Sequence, residues 1–153
     1  MLLENLDEAY DKPAWHGPNL RNALRGLTPE KAAWRPLAFS QTRQQHNIWE
    51  FMLHAAYWKY VVRRRLTREK RGSLSLKGAF PLKGSNFFAR PVELTAKAWQ
   101  SDLAILDAAH RSLREAVAQL TDPDAKQLRL IRGAAAHDLY HAGQIRLLRR
   151  LQE

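Results

Sequence analysis

The chain predicts an all-α fold, a four-helix bundle with a long crossover between its second and third helices. Three observations carry this. Glycine and proline number seven each among 153 residues, too few for a many-turned sheet. Almost no stretch alternates apolar and polar residues with the period of a strand. Two long segments instead carry apolar seams in alternating steps of four and three, the register of helices packed in a bundle.

The first element runs from Leu2 to Leu27 and is interrupted near Pro13 and at Gly17-Pro18, where it bends. Thr28-Pro29-Glu30 reads as a stop followed by a short turn with proline at its first position. Arg35-Pro36 through Arg43 is loop. The second helix spans about Gln45 to Leu66, with Ile48, Phe51, Ala55, Trp58 and Val62 as its apolar stripe. Thr67 to Pro91, with Gly72, Gly78, Pro81 and Gly84, forms the crossover, and loops of that length are usually functional or mobile.

The third helix spans about Val92 to Leu120, on the seam Trp99, Leu103, Leu106, His110, Leu113, Val117 and Leu120. Thr121-Asp122-Pro123-Asp124 is a tight connection with Asp122 as the expected cap. The fourth helix runs to the C-terminus on Leu130, Ala134, His137, His141, Gln144, Leu148 and Leu151. One long crossover among four helices makes some neighbours parallel, unlike a simple up-down meander. A single domain over residues 1–153 accounts for the whole chain.

Composition narrows the chemistry. The chain has no cysteine, which excludes disulfides, a cysteine-based zinc knuckle and a catalytic thiol of its own. No apolar run approaches the roughly 20 residues of a membrane span. Met1-Leu2-Leu3-Glu4-Asn5 has early acid and no basic region, so it does not read as a signal peptide, and a cytoplasmic location is expected. The net charge of +10 is uneven: ten basic residues between Lys59 and Arg90 face Glu69 alone. Such a stretch attracts anions of any kind, nucleic acid and acidic substrates included.

The histidines are the chemical signal. His137 and His141 share one helix face a turn apart, so two imidazoles can reach one ion. They also interrupt an apolar seam, and a buried imidazole without a partner costs about 1–3 kcal/mol. Partners in the core or a wet bundle end are the alternative explanation. His54, at the edge of the second helix's stripe, supplies a third nitrogen from a facing helix. Three protein ligands with open positions are the pattern of a catalytic site; a structural site is closed by four. His46 and Glu50 lie on the face of His54. Glu50 is the candidate base or the acceptor of a ligand's second N–H, against the plainer reading of a surface residue. His110 reads first as a satisfied core histidine. Trp15, His16, Trp49 and Trp58 are candidate pocket-lining residues.

The string His137-Asp138-Leu139-Tyr140-His141 lacks the glutamate of the zinc-protease motif, so that mechanism does not carry over. Followed by Ala142-Gly143-Gln144-Ile145, it resembles the closing helix of the DinB-like family, which is related to the YfiT-type metal-dependent hydrolases. Two further pieces share the resemblance: Trp15-His16-Gly17-Pro18-Asn19-Leu20 with Trp34-Arg35-Pro36, and His46-Asn47-Ile48-Trp49-Glu50 leading to His54. The resemblance covers essentially the whole chain. It implies up-down-down-up connectivity and a homodimer. It implies nickel, zinc or iron on His54, His137 and His141. It also implies thiol-dependent transferase or isomerase chemistry with a low-molecular-weight thiol.

Three functions follow. The first is a metal-dependent hydrolase or thiol transferase whose basic crossover holds an anionic substrate. The second is a nucleic-acid-binding protein, using Arg63-Arg64-Arg65 through Arg71 on phosphates and Phe87-Phe88 on bases. No DNA-reading motif supports it, and a solvated basic face is the preferred reading of that stretch. The third is a dimer whose metal is structural or sensory only.

Overall fold

In a computed structural model, which describes residues 1–36, 45–70 and 86–153, all regular structure among the described residues is helical. The order is α1 (Leu2–Tyr10), α2 (Leu20–Leu24), α3 (Pro29–Ala33), α4 (Ile48–Thr67), α5 (Ala96–Ala118) and α6 (Ala125–Arg150). Among the described residues, no helix is long and apolar enough to cross a membrane.

Side-chain caps set most of the boundaries. The expected first helix is split at the predicted breaks: α1 ends before Pro13, and α2 resumes once Asn19 accepts from the Asn22 N–H at 3.0 Å. Gly17 turns the chain there with φ +92°, a region that glycine enters without a Cβ penalty. α3 opens as expected, with Pro29 behind the Thr28 cap. α4 starts at Ile48 rather than Gln45 because Asn47 and Glu50 form a reciprocal capping box. α5 starts later than expected, at the Thr95 cap. The cap of α6 is Asp124 and not Asp122; Asp124 forms a second box with Gln127. The middle of the predicted loop, residues 37–44, and of the crossover, residues 71–85, lie outside the described residues.

α4 packs against α5 and α6, and α1 packs against the same two helices, so these four elements close a ring. One end of the core joins α4 to α5 through Trp49 and Trp99, whose rings meet edge-on at 5.0 Å. The other end gathers Leu6, Val62, Leu113 and Ile131. The α5 seam is buried as predicted, except that Leu120 is only partly covered.

The α6 seam is displaced. Its buried stripe runs through Ile131, Ala134, Ala135, Asp138, His141, Ala142, Ile145 and Leu148, so Ala134, His141 and Leu148 are buried as predicted, while Leu151 is exposed. The predicted positions His137 and Gln144 therefore lie on the edge of the buried stripe, facing a cavity. An aspartate occupies its centre.

Candidate metal centre

α4 delivers His54 and α6 delivers His137 and His141 to one point. One candidate ligand atom from each ring lies within 4.8 Å of the other two. His137 Nε2 is 3.3 Å from His54 Nε2 and 3.0 Å from His141 Nε2. Nitrogens bound at about 2.0–2.1 Å to one tetrahedral ion sit roughly 3.3 Å apart, so these separations suit a shared ion.

The hydrogen bonds behind the rings sharpen the fit. His54 Nδ1 lies 3.0 Å from the Asn86 carbonyl oxygen, which can only accept, so Nδ1 carries the proton. His141 Nδ1 likewise donates to Gln144 Oε1 at 2.7 Å. Both rings therefore turn an unprotonated Nε2 toward His137. One N–H on His137 can satisfy only one of those lone pairs. A cation satisfies all three nitrogens, and an outer carbonyl or amide fixing the tautomer is the usual support of a metal-bound imidazole.

The electrostatics agree. Burial lowers His54 to about 4, and His141 and His46 add to this against the Asn86 hydrogen bond. Burial also lowers His137 to about 3, helped by His141 and His54. His141 is lowered by burial too, in part countered by Gln144. All three rings are neutral at pH 7, the state that binds metal.

The centre opens into a cavity of about 610 Å³. Phe51 and Phe87 give it apolar walls, and His46, Tyr140 and Gln144 give it polar ones. Phe87 lies between two imidazoles, stacked on His54 at 3.9 Å and on His46 at 3.8 Å.

Glu50 occupies a different place from the one expected. Its side chain is 5% exposed. It takes a bidentate pair from Arg35, at 2.8 and 2.5 Å, and the backbone N–H of Arg90 at 3.2 Å. The imidazole it accepts from is His46, at 3.0 Å, and not His54. Burial pushes its carboxyl up, but the hydrogen bonds from Arg35, His46 and Arg90 outweigh this and hold it at about 2. A carboxylate so committed is a poor proton acceptor at neutral pH.

The aromatic candidates divide. Trp15 and His16 are exposed and line no part of the cavity, because the loop between α1 and α2 turns them to solvent. Trp49 is fully buried, its Nε1 donating to Asp102 at 2.7 Å, so it is core. Trp58 is edge-on to His54 at 6.3 Å and to His137 at 6.2 Å, but it does not line the cavity onto which the centre opens. His110 is a core histidine as read, stacked on Tyr10 at 3.8 Å.

Sequence reasoning missed the buried pair Lys59–Asp138, the Arg35–Glu50 fork and the outer role of Gln144. It also overcounted the basic stretch: besides Arg63, which pairs with the Glu69 already set against it, Lys59 and Arg90 are neutralised by Asp138 and Asp102 from outside the stretch.

The family model described as the DinB superfamily matches residues 14–145, a span that includes all three histidines. No curated protein matches the chain, and no solved structure does.

Proposed function

Because the chain belongs to the DinB superfamily, we propose that it is a metal-dependent enzyme, a thiol-dependent transferase or a hydrolase, with nickel, zinc or iron held by His54, His137 and His141. The observation that carries this reading is the convergence of three neutral imidazoles on the wall of an open cavity. When bound, a divalent ion with neutral ligands keeps its full charge and lowers the pKa of a thiol or water brought to it.

The chain's own residues set the rest. Asn86 and Gln144 orient two of the ligand rings. Phe51 and Phe87 keep water from one side of the cavity. His46 takes over the base role expected of Glu50: its Nδ1–H donates to Glu50, which leaves Nε2 as the ring's acceptor atom. The same reading takes the helices as an up-down-down-up bundle and the protein as a cytoplasmic homodimer. Leu147 and Leu151, 58% and 57% exposed at the end of α6, are apolar surface that a second copy would cover.

The test is the metal content of protein purified without an affinity tag, beside a His137→Ala variant. Near-stoichiometric metal in the parent, lost in the variant, is expected and leads to thiol-transfer assays with that ion. Metal in neither, even after zinc, nickel or iron is added, refutes the proposal. Gln144→Ala is expected to weaken metal binding about tenfold to a hundredfold, the usual effect of removing an outer hydrogen bond. Competition with a chelator measures this, and unchanged affinity would remove Gln144 from the site.

A further inference from the structure

A second cavity, of about 350 Å³, lies between α4 and the N-terminal half of α6. We infer that it binds a small organic acid with an apolar body, such as an aromatic carboxylate. The inference does not depend on metal, although His137 lines both cavities.

Three observations carry it. Trp58, Val62, Leu130 and Ala134 make an apolar floor. Arg65, Lys126 and Arg129 also line the cleft, and no acid does so among the described residues. None of the three is in an ion pair with a described carboxylate, whereas Lys59, Arg63, Arg90 and Arg114 all are. Unpaired cations beside an apolar floor complement an acid whose head is charged and whose body is not.

Gly133 is the third. It lies inside α6, where glycine weakens a helix. A Cβ built there meets nothing within 4 Å, so bulk at this position would project into open space in the cleft. The volume falls at the small end of ligand pockets, roughly 300–1,000 Å³. That suits one compact acid better than a peptide.

The probe is 2-naphthoate, titrated calorimetrically into the full chain at low salt, with neutral 2-naphthalenemethanol as the comparison. Naphthoate is expected to bind at least about tenfold more tightly than the alcohol, the value of one charge-assisted hydrogen bond. Arg65→Glu with Arg129→Glu is expected to weaken it by a similar factor or more. Gly133→Leu is expected to abolish binding with an unchanged circular dichroism spectrum, since leucine favours the helix and fills the cleft. His54→Ala is expected to leave binding intact.

No naphthoate binding by the parent overturns the inference, and so does equal binding by Gly133→Leu or by the charge variant. Loss of binding in His54→Ala would place the acid on the metal centre instead and equally overturn it. Capture of phosphatidylglycerol vesicles without binding of free naphthoate would make the cleft a lipid-headgroup site and also refute the proposal.

Discussion

Replacing Lys59 with methionine is expected to destabilise the protein by about 3–5 kcal/mol, the cost of stripping one partner from a buried ion pair. Lys59 and Asp138 are each 1% exposed, and the Lys59 ammonium donates to Asp138 Oδ2. The same ammonium lies 3.3 Å from His110 Nδ1 and 4.7 Å from the centre of the Tyr10 ring. Burial pushes the Asp138 carboxyl up, and Lys59 draws it back down. Its Oδ1 has no hydrogen-bond partner among the described residues, so Lys59 is what holds this charge in the core. Methionine keeps the unbranched stem, so the loss reports charge and not volume. Urea unfolding at neutral pH measures it. The double variant Lys59→Met with Asp138→Leu is expected to recover most of the loss, because an apolar pair replaces an ionic one at little or no cost. A single variant within about 1 kcal/mol of the parent would show that water reaches Asp138, and would contradict the burial argued here.

This pair marks where the sequence stops being legible. His54, His137 and His141 could be read because polar side chains interrupt apolar stripes at helical spacing, a local pattern. α1 and α2 could be divided because proline and glycine act on their own backbone. Lys59 could not be separated from the arginines that follow it, since what distinguishes it is a partner 79 residues away. Asp138 is hidden when the α6 seam is traced through His137: His141 is in the buried stripe, but one turn earlier the stripe passes through Asp138, one residue over from His137. Glu50 shows the converse. Its spacing from Asn47 announces a capping box, yet its place beside His46 and His54 drew a catalytic reading. Only the fork from Arg35, fifteen residues away in the coil after α3, decides between them.

Glu50→Gln is expected to cost about 3 kcal/mol at neutral pH, and the cost should fade in acid. Its carboxyl lies at about 2 in the folded protein against an ordinary value of 4.5. That difference corresponds to about 3 kcal/mol. Because the folded value is the lower, the stabilisation is complete above 4.5 and disappears as pH falls from about 5 toward about 2. The buried His54 and His110 and the half-buried His137 also cost the fold stability in acid: lowered from 6.5 to about 4, 2 and 3, they oppose protonation from pH 6.5 downward. The difference between parent and variant removes that shared background. It should be flat from pH 7 to about 5 and shrink below, as followed by urea unfolding at several pH values. A difference that stays constant to pH 3 would mean that the Arg35 fork does not hold Glu50 ionised. The same variant weakens the charged acceptor that anchors His46, the outermost ring of the His46–Phe87–His54 stack. Metal affinity should therefore fall in Glu50→Gln although Glu50 is no ligand, because one face of His54 is packed against a ring whose other neighbour has lost its anchor.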